Sequence, residues 1–152
     1  METVRMTPLY RELHRWSVNP FIWGELDCML AVADWIELVK GKDPAAALRG
    51  VYDSRGSCQR ETGFLREPVA TVDACLATIG GLPRVDTPSP GDIAVIMAHD
   101  VEGRLSPAGA LWMGDCWALK TRNEHYGGRG ATTIKPILIP KVLAIWGVGY
   151  EA

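Results

Sequence analysis

The stretch FIWGELDCMLAVADWIEL, residues 21–38, decides how the rest of the chain is read. Asp27 has the short carboxylate of a helix N-cap, and the apolar run behind it predicts a buried helix over residues 27–40. After Cys28 its strongly polar members are Asp34, Glu37 and Lys40, three apart, so one narrow stripe meets water. Gly41 stands where a left-handed glycine ends such a helix. Cys28 becomes the first helical residue, where unpaired amides and the positive end of the helix dipole favour a thiolate. The adjacent Asp27 carboxylate opposes that charge. Cys28 is therefore either a nucleophile or a small buried apolar side chain, and a base elsewhere must decide.

On either side the first half of the chain reads as helical. TPLYRELHRW, residues 7–16, offers Thr7 as N-cap, Pro8 at the first helical position, and Leu9, Leu13 and Trp16 as an apolar face. KDPAAALRG, residues 42–50, predicts a short helix capped by Asp43, opened by Pro44 and stopped by Gly50. Another helix runs from Glu67 or Pro68 to Ile79. After TPSPGD the pattern turns to strands. DIAVIMA (92–98) and AGALWMG (108–114) form a hairpin across the polar HDVEGRLSP, followed by DCWALKTRN, TTIKPILI and VLAIWGVGY. Helices first and an antiparallel sheet afterwards is the pattern of an α+β fold.

With 152 residues and neither linker nor repeat, the chain is expected to form one domain, residues 1–152. Hydrophobic residues make up 47% and the formal net charge is −2, with no basic stripe, so nucleic acid is not an expected partner. No run reaches the length of a membrane span, and the N-terminus lacks the apolar core of a signal peptide, so the chain is expected to start life in the cytosol. Cys28, Cys58, Cys75 and Cys116 lack C-x-x-C or zinc-finger spacing and read as free thiols. No metal and no cofactor is expected: YGGRGATT has no phosphate-loop lysine, and no H-E-x-x-H or framed carboxylate pair occurs.

The order W-G-x-x-D-C (Trp23, Gly24, Asp27, Cys28), helical filler, P-x-P-G-D (with Gly91 and Asp92), then AGALWMGD (108–115) resembles the NlpC-type papain-like superfamily of cell-wall peptidases and amidases. F-x-W-G-x-x-D-C with G-x-D at residues 41–43 and R-G-x-Y at residues 49–52 is similar, more narrowly, to small uncharacterised proteins of phage and prophage tail operons. The resemblance spans residues 16–146. It implies a papain-like (NlpC-like) α+β fold, with N-terminal helices packed on an antiparallel sheet of five or six strands.

It also implies a histidine base at the start of the second core strand, and the matching position holds Ala108. Of the three histidines, His14 reads as a helix-surface residue and His125 as a loop residue. His99, ending the first hairpin strand, is the candidate base to pair with Cys28 if the protein is an enzyme. Asp115, Lys120 and Asn123 are the polar candidates for a third member. Trp23, Asp27, Trp117, Gly127 and Gly128 are the candidate binding residues: tryptophans anchor interfaces, and the glycine-rich loop reads as mobile or ordered by a partner.

Two functions from different classes follow from the resemblance. The first is a structural component of a phage tail, at the tail tip or in its assembly. It would use a degenerate peptidase fold as scaffold and binding surface, be assembled in the bacterial cytoplasm and reside in the virion beside other tail proteins. The second is an active cysteine peptidase or amidase that cleaves peptidoglycan during DNA entry. A host-cytosolic binding protein of the same fold is a third.

Overall fold

The computed structural model describes residues 6–100 and 103–151; Val101 and Glu102, in the expected hairpin connection, lie outside the described residues. Four helices come first: α1 (Pro8–Val18), α2 (Cys28–Lys40), α3 (Arg55–Thr62) and α4 (Pro68–Ala77). Five strands follow: β1 (Ile93–His99), β2 (Leu105–Trp112), β3 (Trp117–Lys120), β4 (Ala131–Ile134) and β5 (Lys141–Trp146). The expected α+β architecture is what forms, with five strands paired antiparallel in the order β4-β3-β2-β1-β5. Among the described residues no helix is long and apolar enough to cross a membrane.

The caps fall where the sequence puts them. The Thr7 side chain accepts from the Tyr10 amide with Pro8 opening α1, Asp27 caps α2, and Gly41 at φ 76° closes α2 with its N–H on the Glu37 carbonyl. Two helical expectations change. Residues 43–50 form turns rather than a helix. The Asp43 carboxylate that would cap it is shared, accepting from the Ala45 amide at 2.9 Å and held by Arg49 at 2.7 Å. Conversely, α3 is built from RGSCQRET, which has no apolar periodicity, and starts from a capping box between Ser54 and Ser57.

Alternation along the strands separates two apolar faces. Ile93, Val95, Leu111, Ala118 and Trp146 pack with Leu30, Val32 and Trp35 of α2. Ala94, Ile96, Ala110, Trp117 and Leu119 form a second cluster on the opposite face. Since β4 and β5 lie at opposite edges, residues 135–140 must cross the sheet. Ile139 packs on that second cluster, while Ile137 and Leu138 turn outward, 89% and 70% exposed. The C-terminal segment is fastened by Asp92, whose carboxylate accepts from the Val148 amide at 3.0 Å, and the Trp35 indole donates to the Gly91 carbonyl at 2.8 Å.

Candidate functional site

Asp27 is 1% exposed, and its carboxylate accepts from the amides of Gly24 (3.1 Å), Met29 (3.1 Å) and Leu30 (2.9 Å) and from the Tyr52 hydroxyl (2.7 Å). These four donors let a buried carboxylate persist without a cation. Gly24 sits at φ 82°, and a Cβ there would overlap the Tyr52 carbonyl oxygen; its own carbonyl accepts from the Gly50 amide at 2.9 Å. Arg49 bridges Asp34 at 2.8 Å and Asp43 at 2.7 Å, which raises the guanidinium pKa and lowers that of Asp43. W-G-x-x-D-C, G-x-D and R-G-x-Y thus interlock as one clasp.

Cys28 opens α2 beside this clasp. Burial, and secondly the Asp27 charge, push its thiol up to about 12; the Gly109 amide directed at the sulphur works the other way and does not offset them. The close approach of β2 to the start of α2 requires Gly109: a Cβ there would meet the Met29 sulphur at 2.6 Å and the Cys28 carbonyl oxygen at 2.7 Å. Burial also raises the Cys58 and Cys75 thiols, and it raises the Tyr52 phenol, with Asp27 adding to the effect.

The strand register locates the candidate base. Gly109 faces α2, so Ala108 points to the opposite face, where it packs on the second apolar cluster. The β2 residue next to Gly109 on the Cys28 face is Pro107, which pairs with Met97 and carries no proton acceptor, although Ala108 and His99 line the same cavity as Cys28. His99 does share the α2 face of β1, but Gly109 pairs with Val95, four residues back along the strand. At 3.2–3.4 Å per residue, that puts His99 about 13 Å from the row that touches Cys28. His99 is exposed there, as are His14 and His125.

Among the polar candidates for a third member, Asp115 is exposed in the turn before β3, and Asn123 caps the short turn at Glu124–Tyr126. Lys120 is the one the sheet brings near Cys28. Continuing the Leu111–Ala118 register by two residues sets it beside Gly109, and it is 3% exposed. Burial, and then the Arg15 charge, lower its ammonium to about 8, and it donates to the carbonyls of Thr121 (2.9 Å) and Gly130 (2.8 Å). Its sequence signal is a lone charge ending the apolar run WAL.

The candidate binding residues separate. Trp23 is half-buried and meets Phe21 edge-on at 5.1 Å. Trp117, expected as a surface anchor, is 2% exposed and packed 4.9 Å from Trp112, so its indole is covered rather than offered. Gly127 is exposed and Gly128 buried; the glycine-rich loop, expected to be mobile or ordered by a partner, is already tied, with the Gly128 carbonyl accepting from the Phe21 amide at 2.8 Å and its own amide donating to Asn123.

A cavity of about 280 Å³ opens beside Cys28, Trp23 and Pro107 and extends to Leu48, Phe64 and Leu76 between α2, α3 and α4. No group of three or more metal-ligating side chains occurs among the described residues.

Residues 5–131 match the model of a family described as a domain of unknown function (DUF6950), most of the chain, and the protein belongs to that family. No curated protein and no solved structure matches it.

Proposed function

We propose that this member of the DUF6950 family is a non-hydrolytic structural component of a phage tail, using a papain-like (NlpC-like) fold as scaffold and binding surface. The observation that carries the non-hydrolytic reading is the Cys28 thiol. Burial and the Asp27 charge raise it to about 12, no imidazole stands on its row of the sheet, and the neighbouring β2 position on its face is a proline. A cysteine that must attack a carbonyl at neutral pH needs the reverse, a lowered pKa or an adjacent base. The clasp supports the same reading, since Gly24, Asp27, Asp43, Arg49 and Tyr52 all have structural partners there. The tail assignment rests on the resemblance of these motifs to phage tail-operon proteins, and it implies assembly in the bacterial host cytoplasm beside other tail proteins.

Two measurements test it together: release of stem peptides from purified peptidoglycan, and detection of the protein in purified virions. The expected result is no hydrolysis by the wild type, presence in the particle, and normal assembly with Cys28→Ala. Hydrolysis that Cys28→Ala abolishes would establish the peptidase or amidase instead. Absence from particles would leave a cytosolic binding protein.

A further inference from the structure

We propose that the deep end of the cavity binds a single-chain anionic amphiphile, with its alkyl tail between α2, α3 and α4 and its headgroup at Arg55 and Arg66. The tail chemistry follows from the walls. Leu48, Phe64, Val72 and Leu76 line this end, and the two threonines among them are already satisfied. The Thr62 hydroxyl donates to the Cys58 carbonyl at 2.7 Å and the Thr71 hydroxyl to that of Glu67 at 2.8 Å. A wall with no unsatisfied polar group excludes a polar ligand and stays poorly hydrated, which favours an apolar chain.

The headgroup follows from the opening. Arg55 and Leu65 line both the cavity and an adjoining surface hollow shared with Gly56, Gln59 and Arg66. Arg15, Arg49, Arg84 and Arg122 are paired with carboxylates, whereas Arg55 and Arg66, like Arg11, Arg60 and Arg129, make no ion pair among the described residues; what distinguishes Arg55 and Arg66 is their place at the cavity and the hollow. The side-chain oxygen of Gln59 accepts from the Arg66 amide at 3.1 Å, fixing the backbone of Arg66 against α3 beside the opening. Arg55 at the cavity's edge and Arg66 in the adjoining hollow match a carboxylate that heads an unbranched chain.

Decanoate and decan-1-ol, titrated calorimetrically into the full chain, separate head from tail. Saturable decanoate binding is expected, tighter than that of the alcohol. Arg55→Gln with Arg66→Gln should weaken decanoate at least tenfold and leave decan-1-ol unchanged. Methyl NMR of the unsubstituted protein should show the Leu48, Val72 and Leu76 methyls shifting with decanoate, a readout that no folding defect can mimic. The proposal is overturned by any of three results: no saturable binding, binding that leaves those methyls unmoved, or equal affinities for acid and alcohol that the arginine substitutions do not change.

Discussion

A buried carboxylate with four donors is a stringent arrangement, and Asp27 is where single atoms matter most. Tyr52→Phe removes one donor and should cost about 1–2 kcal/mol, whereas Asp27→Ala strands three amides and the phenol and should cost about 3 kcal/mol or more. Urea midpoints on both variants check the order, and equal midpoints would contradict it. The N-cap role of Asp27 was legible from sequence because it depends on the next three residues. The state of Cys28 was not, because the backbone packed over the start of α2 belongs to Gly109, far along the chain. With the thiol at about 12, its thiolate fraction at pH 8 is roughly a thousandfold below that of a thiol at the ordinary value. Iodoacetamide labelling of Cys28 should be slower than that of a cysteine in the unfolded chain by at least about tenfold, the greater nucleophilicity of a high-pKa thiolate offsetting part of the difference, and a fast reaction near pH 6 would show an activated nucleophile.

At the scale of elements, the parity of a strand carries the argument. The helix ends, the five strands and the hairpin of β1 with β2 could be read from caps and alternation. Which residues of β2 face α2 could not, since a one-residue difference in register moves every side chain to the other face, and that separates Ala108 from Pro107. A histidine placed at each position distinguishes the faces. Pro107→His should speed Cys28 labelling at least tenfold near neutral pH by setting an imidazole on the thiol's face two residues from Gly109, and Ala108→His should leave the rate unchanged. Helix α3 escaped notice for a related reason: its stability comes from the Ser54 cap and from Cys58 packing inward, so it shows no apolar stripe. The turn at residues 43–50 was misread because its cap signal is real but also serves Arg49.

For the molecule as a whole, the shifted groups set the response to alkali. Cys28, Cys58, Cys75 and Tyr52 all have raised pKa values, so the folded state keeps protons that the unfolded chain releases. Their contribution is complete below about pH 9 and is lost as pH rises toward the folded values, by at most about 1.4 kcal/mol per pH unit per group. Lys120 acts in the opposite sense between about 8 and its ordinary value of 10.5, where the unfolded chain holds the extra proton. Those thiols and the phenol, with the Cys116 thiol that burial also raises, outnumber Lys120, so urea midpoints should fall above pH 9, more gently in Cys28→Ala and more steeply in Lys120→Met; a flat profile to pH 11 would contradict the assignment. The crossing segment at residues 135–140 limits the chain in another way. From edge to edge the sheet spans four strand spacings, about 19 Å, and the seven Cα steps from Ile134 to Lys141 reach about 23–25 Å when extended. The segment is not drawn out to that limit, since Pro136–Leu138 turn as a short 3-10 helix that rises only about 2 Å per residue. Length at this point is therefore a lopsided tolerance: extra residues can loop outward beside Ile137 and Leu138, while a loss has first to unwind that turn.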